Sequence, residues 1–491
     1  MIKKKEKLIN KFFAYIIPDW SPPNGCIIIK YMSLAILFFY IVSYLVIPFS
    51  NGDPAYYTIV GRGIFQHHIL PYNYAFDHKP FGINLFYGLW DLITPFYSGK
   101  FTILALFLSA FFVNMCRIFG EYSRRTAFIL LISAGSLFNV LAGNSELVLV
   151  AGEALCLSLL FKGIQRNNGI FFFISGFVAS LIFNINYLSS VCLFGPIALM
   201  LLYPNWFRLS RCCLVIIGCM AGLIVLFFPY FFAGSGALQT YFSMQHNFLK
   251  HYSGSIHDRI LCFLLMSMYV LILSPVLISW GKIYGFENYK EVNVKHLILP
   301  CWFLSSLPAT MLSGHPYEHY FLLCFAPVVI MWAILIHEGV TFKIYAFLPL
   351  IILELLSVEK NTRTNFKTSI HSNRVDYARI SREVGQNKVL SLRAYHAAFY
   401  MSNLWPFDIY LFGDHTDIMY GPLAGQHFMQ ELQKNPPFVI MRYNACNRHE
   451  VEALVCEWVH KNYNLVYSVN VQDNKPNKFS LLLYKKMSNN F

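Results

Sequence analysis

CIIIKYMSLAILFFYIVSYLVIPF, residues 26–49, runs straight into SNGDPAYYTIVGRGIFQHHILPYNYAFDHKP, residues 50–80. The first stretch has 24 residues and one charge, Lys30. As a helix it is long enough to cross the ~30 Å apolar core of a bilayer. The second is polar and rich in tyrosine, and it sets Asp53, Asp77, His78 and Lys79 at the end of that span. An apolar span that delivers ionisable groups to its end predicts membrane helices with chemistry at the bilayer surface.

The same apolar pattern recurs along the chain. It predicts further spans at Phe101–Phe119, Thr126–Leu141, Leu147–Phe161, Ile170–Tyr187, Leu188–Leu202, Leu214–Phe232, Ile260–Trp280, Leu297–Leu312, Tyr320–Ile336 and Phe342–Leu356. With Cys26–Phe49 this makes about eleven. The runs are solid rather than alternating, which excludes a β-barrel. Composition agrees: of 491 residues, 56% are hydrophobic and 13% charged, too few charges for a soluble chain and too much apolar surface for a disordered one. The net charge of +13 does not indicate nucleic acid, because the basic residues sit at the ends and in loops. Residues 1–25 form a basic N-terminus with Lys3, Lys4, Lys5, Lys7 and Lys11, which the positive-inside rule places in the cytoplasm. The apolar run that follows is too long for a signal peptide and reads as an uncleaved first span. Arg117, Arg124, Arg125, Lys162, Arg166, Arg208, Arg211, Lys282, Lys290 and Lys295 then all fall on the cytoplasmic side. Pro80–Phe96 is apolar but holds Asn84 and Asp91, and spanning would reverse those arginines, so it reads as a helix lying at the outer surface.

The domain plan is therefore a membrane module over 26–359, with its first outer loop at 50–100, and a soluble outer domain over 360–491. In the tail, Ser372–Gln386 and Glu450–Asn462 read as helices, the latter with Val451, Leu454, Val455 and Trp458 on one face. Lys388–Leu392, PFVIMRY, LVYSVNV and FSLLLYKK read as strands, giving an α/β domain. Cys446 and Cys456, both in that domain, are either a disulfide or two buried thiols. No zinc-protease, P-loop or serine-hydrolase motif occurs.

Two carboxylates, a lysine and histidines within residues 51–80 suit a reaction on a lipid-borne phosphate. A carboxylate can take the proton of an acceptor hydroxyl, and an ammonium can neutralise a phosphate leaving group. The same residues also fit a solvated loop. Glu146 stands at an outer span end, Arg259 begins another span, and SGHPYEHY (313–320) supplies His315, His319 and Tyr320. The two histidines are spaced for a metal, or for holding phosphate or packing on the bundle. Glu153, deeper in its span, reads as a bundle contact, and Trp302 as an interface anchor.

These elements resemble the GT-C class of integral-membrane glycosyltransferases, in particular the branch of protein O-mannosyltransferases and the lipid A aminoarabinose transferase. That branch has an Asp after the first span, then a Tyr-bearing helix, a Gly…Pro-Tyr turn and a Lys-Pro-Pro signature. Here they read Asp53, Tyr56-Tyr57, Gly63…Pro71-Tyr72 and Asp77-His78-Lys79-Pro80. Phe81 replaces the second Pro, and Pro54 stands where a second acid is common. The late motif resembles His315-Pro316-Tyr317-Glu318-His319-Tyr320…Pro327. The resemblance implies a polyprenyl-phosphate-sugar donor and transfer with inversion, without a nucleotide sugar; the expected acceptor is an envelope glycan or lipid such as lipid A, its core or an O-antigen repeat, and no cofactor and no metal ligand are assigned. It implies a bacterial inner-membrane protein with its C-terminal domain in the periplasm. In this reading Asp53 is the base, Lys79 binds the lipid phosphate, Asp77 and Glu146 orient substrates, and Tyr57, His78, Arg259, His315, His319 and Tyr320 line the substrates. The alternatives are a transporter or flippase for lipid-linked sugars, whose charges would lie inside the spans, and an O-antigen polymerase or ligase.

Overall fold

The protein is described by a computed structural model covering residues 27–47, 52–94, 98–202, 208–234, 236–252, 254–286, 294–312, 314–342, 347–411, 413–471 and 480–487. The basic N-terminus 1–25, Cys26, the end of the first predicted span and Lys290 lie outside the described residues. The chain falls into two compact units. One is drawn from Met1–Tyr44, Phe101–Val225 and Gly254–Arg363, the other from Leu45–Lys100, Leu226–Ser253 and Thr364–Phe491.

The first unit is a helical bundle. Five helical segments among the described residues are long and apolar enough to cross a membrane: Lys100–Phe119, Ser145–Arg166, Leu209–Phe232, Ile256–Tyr284 and Glu318–His337. Gly169–Phe183 and Leu188–Leu202 are apolar but shorter. The predicted span Thr126–Leu141 is not one helix. Its helix, Arg124–Ala134, gives way to two 3-10 turns, Gly135–Phe138 and Val140–Ala142, around Asn139 in the left-handed region at φ 52°. A side-chain amide tolerates that conformation, and the first 3-10 turn ends there.

Ile216, Ile217, Met220 and Ile224 on Leu209–Phe232, and Ile260, Phe263, Leu264 and Leu271 on Ile256–Gly281, are each more than half exposed. A continuous apolar face of this size is stable against lipid tails and not against water. Ser145–Arg166 and Leu322–His337 are buried along most of their length. Lipid offers no hydrophobic drive between helices, so close backbone approach has to supply the packing. Gly176 and Gly218 provide it: a Cβ on the first would overlap the Val215 carbonyl, and on the second the Phe173 carbonyl. Trp302, read from sequence as an interface anchor, is fully buried, and its indole N–H donates to Glu153 Oε2 at 2.9 Å. The bond satisfies the indole N–H and one carboxylate oxygen, while Glu153 Oε1 is buried with no hydrogen-bond partner among the described residues.

The second unit holds a five-stranded mixed sheet: β1 (Lys388–Leu392), β2 (Trp405–Pro406), β3 (Phe438–Arg442), β4 (Tyr463–Val469) and β5 (Leu481–Lys486), in the order β2-β1-β3-β5-β4. β1 runs parallel to β2 and β3; β5 is antiparallel to β3 and β4. Leu390, Leu392, Val439 and Met441 face Phe428 and Leu432 from the helix Ala424–Gln433 and Val455 and Val459 from the helix Ala453–Asn462. Leu454, expected on the buried face of that last helix, is 73% exposed, whereas Val451 and Val455, expected with it, are buried together with Val459. The helix expected over Ser372–Gln386 is present but shorter, Tyr377–Val384; Leu348–Ser372 ends just before it, and Asp376 caps it by accepting from the Arg379 N–H. Cys446 and Cys456 form a disulfide across ten residues. Closing a loop of that length restricts the unfolded chain by about 3 kcal/mol. Cys446→Ser with Cys456→Ser should lower the melting temperature of the purified protein. An unchanged melting curve would mean the bridge adds nothing.

In the same unit, Pro54 starts the helix Asp53–His67 and His68, at φ 56°, ends it. This helix crosses Phe81–Ile93 closely. A Cβ on Gly61 would lie 2.5 Å from the Asn84 carbonyl and 2.6 Å from Gly88 Cα. Arg62, 4% exposed, donates through Nε to Asp91 at 2.8 Å and through Nη1 to the Tyr400 carbonyl at 2.7 Å, while Lys100 pairs with Asp91 at 2.5 Å. That buried triad ties the two helices to the tail.

Candidate active site

Within the second unit the loop 68–80 is held from three sides. Phe76 N–H donates to the Ile409 carbonyl at 2.8 Å. The Tyr56 hydroxyl donates to the Phe76 carbonyl. Gln245, buried on the helix Ala237–His251, donates its amide to the Tyr72 hydroxyl and to the carbonyls of Asp77, at 3.2 Å, and Lys79, at 3.0 Å. Tyr72, at φ 73°, returns a hydroxyl bond to the Asp77 carbonyl at 3.2 Å. Phe76, Phe81, Tyr230, Tyr241 and Phe248 pack beneath as an aromatic core.

On that base the loop presents Asp77, His78 and Lys79. Asp77 is 1% exposed; its Oδ1 accepts from the Lys79 backbone N–H at 3.1 Å and lies 3.5 Å from His78 Nδ1. Its Oδ2 is buried with no hydrogen-bond partner among the described residues. Burial pushes the Asp77 carboxyl up to about 7; the Lys79 backbone N–H and ammonium oppose the rise, and the nearby charge of Asp53 adds to it. The Lys79 side chain is buried. His78 stacks on Phe248 at 5.3 Å, and its Nδ1 lies 3.3 Å from His415 Nε2. Burial, helped by the charge of His396, drives His415 down to about 3, so it is a neutral ring near pH 7. Asp53, at the head of its helix, is half-buried, and Tyr57, one turn on, is buried against Tyr87. The structure thus gathers Asp53, Tyr57, Asp77, His78 and Lys79 in one unit.

Asp77 also sets a pH test. Its folded carboxyl keeps its proton to higher pH than the unfolded chain does. Its contribution to stability is therefore complete below about pH 4 and is lost as pH rises through about 7, by up to about 4 kcal/mol. Asp77→Asn cannot ionise. Its melting temperature relative to wild type should rise between pH 5 and pH 8, and a difference constant with pH would contradict the buried, proton-retaining carboxyl.

The remaining expected residues gather in the first unit. Glu146 is fully buried; Ser145 donates to its Oε1 at 2.9 Å, and His319 Nε2 lies 4.0 Å from its Oε2. His315, Tyr317 and His319 form a ring stack, with centroids 5.2 and 5.6 Å apart, and Tyr320 is buried beside His319. Arg259 is exposed at the start of its helix, with its Nε beside Gly314.

Sequence reasoning missed Gln245, Tyr241, His415, Arg62 and Lys100. The partners of Gln245 and His415 lie far away in the chain: 166 residues separate Gln245 from Lys79 and 337 separate His415 from His78. Arg62 carried a signal, a charge between two glycines in the middle of its helix.

No protein-family model matches the sequence, and no curated protein is similar to it in sequence. Solved structures do match in fold. The crystal structure of ArnT from Cupriavidus metallidurans bound to undecaprenyl phosphate superposes with a TM-score of 0.56 at 10% identity, over 94% of this chain and 98% of that one. The same protein in the apo state gives 0.55 at 11% identity, over 93% and 97%. The chain is thus a mainly α, multi-pass membrane protein with a GT-C-type fold. Identity this low establishes the fold alone.

Proposed function

We propose that the protein is a glycosyltransferase of the bacterial inner membrane that moves a sugar, with inversion, from a polyprenyl-phosphate donor to an envelope glycan or lipid on the periplasmic face. The observation that carries this reading is the rigid loop presenting Asp77, His78 and buried Lys79 next to Asp53. A solvated loop would not be bolted down through Gln245, Tyr56 and an aromatic core. The similarity in fold to a protein crystallised with undecaprenyl phosphate supports the same donor class.

Lys79 is assigned to the lipid phosphate. As the bond to the anomeric carbon breaks, negative charge grows on that phosphate, and a fixed ammonium stabilises it more than it stabilises the bound donor. A phosphate-linked lipid leaves readily, so the site needs no strong general acid, unlike a glycosidase. The acceptor hydroxyl loses its proton to Asp53. Asp77, whose Oδ1 accepts from the Lys79 backbone N–H, is assigned to fixing that lysine and not to taking the proton. Tyr57 and His78 border the donor. Glu146, His315, His319, Tyr320 and Arg259 are assigned to sugar and phosphate contacts. The N-terminus is cytoplasmic and the tail periplasmic. A flippase is disfavoured because the ionisable cluster occupies a folded loop and not the interior of the spans.

Deleting the gene should remove one sugar from an envelope glycan, read as a loss of one hexose or pentose mass from the purified glycan. Wild-type protein should restore it and Asp53→Asn should not. An unchanged glycan mass on deletion would refute the transfer reading, and restoration by Asp53→Asn would refute Asp53 as the base.

A further inference from the structure

A second ionisable cluster lies elsewhere in the second unit. Asp408 follows β2; His427 and Glu431 stand one turn apart on the helix Ala424–Gln433. Their exposures are 9%, 7% and 8%. One ligand-capable atom from each lies within 4.8 Å of the others, and His427 Nε2 is 2.8 Å from Asp408 Oδ2. The His427 ring is fixed by Tyr420 stacked at 4.1 Å and by the edge of Tyr410 at 5.7 Å. None of these residues contributes to the transfer chemistry assigned above.

We propose that Asp408, His427 and Glu431 bind a divalent first-row transition ion of the zinc class. Two carboxylates buried this close repel, and each is costly to leave ionised without a cation. Among the described residues the cation paired with a carboxylate of the cluster is Lys434, 2.5 Å from Glu431 Oε1, reaching in from a side chain that is 61% exposed. A divalent ion would meet both carboxylates together with the imidazole. Tetrahedral zinc with nitrogen and oxygen ligands at about 2.0–2.2 Å sets neighbouring ligand atoms about 3.4 Å apart. The 2.8 Å pair opens by about half an ångström, and pairs within the 4.8 Å limit close by at most about 1.4 Å, movements that side-chain torsions supply. One imidazole and two carboxylates make a three-ligand set with a fourth position for water. The nitrogen ligand favours zinc over magnesium or calcium. The ion would staple the segment after β2 to the Ala424–Gln433 helix. This inference does not depend on the proposed transfer reaction.

The test uses the full-length protein in detergent without a histidine tag, stripped with EDTA and titrated with ZnCl2 or MgCl2. One equivalent of zinc should survive desalting and raise the melting temperature, and magnesium should do neither. His427→Ala and Asp408→Asn should weaken zinc binding about 100-fold, the loss of a direct ligand matching at least the upper end of what outer-shell changes cost. Glu431→Gln serves in place of any variant that does not fold. Lys434→Ala frees Glu431 and should bind zinc as tightly or more tightly. Absence of bound zinc in wild type and Lys434→Ala alike, or equal binding in wild type and the ligand variants, would overturn the proposal.

Discussion

Asp53→Asn should abolish turnover while leaving expression and donor binding near wild type. Asp53 opens a helix whose first turn is fixed by Pro54 and whose next turns are buried, so the carboxylate stands at a set position rather than on a mobile loop. It is half-buried, and among the described residues nothing hydrogen-bonds or ion-pairs with it. A carboxylate that is neither neutralised nor engaged is available to accept a proton. Asparagine keeps its shape and removes its basicity. Loss of a general base costs about 10²–10⁴ in rate, and the loss should appear in kcat with KM for the donor little changed. The companion variant separates the roles: Asp77→Asn keeps an oxygen for the Lys79 N–H and should retain part of the activity. If Asp53→Asn turns over normally and Asp77→Asn is dead with donor binding intact, the base is Asp77.

Lys79→Ala should lower kcat/KM for the donor by about 30- to 1,000-fold, equivalent to about 2–4 kcal/mol by analogy with the loss of one oxyanion-hole donor. Low dielectric around the buried lysine makes its charge worth more than a surface charge, and the proposed role sets that charge against the leaving phosphate. Lys79→Arg keeps the charge in a larger planar group and should recover only part of the loss. Full activity in Lys79→Ala would return the residue to a structural role within its loop.

Much of this was legible in the sequence because it rests on local pattern. Pro54 after Asp53 marks a helix start, and β1, β3, β4 and β5 each fall within about two residues of their apolar runs. What rests on distant pairing was not. Asp91 looked like an obstacle to a membrane span, whereas it is the anion between Arg62 and Lys100. Trp302 looked like an interface residue because a lone tryptophan gives no hint of Glu153 as its acceptor. The Ala424–Gln433 helix had a local signal, Ala424, Phe428 and Leu432 at helical spacing after Gly421-Pro422, hidden by the polar residues between. The break at 373–376 had one too, in Asn373-Arg374-Val375-Asp376, ending in a capping residue. The site divides the same way. Asp53, Asp77, His78 and Lys79 are close in the chain and readable together. Gln245 and His415 secure that loop from remote segments, which no spacing rule could find.

The most direct measurement is sugar transfer by the purified protein in proteoliposomes. A panel of radiolabelled polyprenyl-phosphate sugars would be supplied with glycolipid extracted from an envelope that lacks the protein. For one donor, label should pass to the glycolipid with inverted anomeric configuration and release of polyprenyl phosphate, and Asp53→Asn should block it. Label that stays on the polyprenyl phosphate for every donor, crossing the bilayer without reaching the glycolipid, would contradict a transferase and identify a flippase.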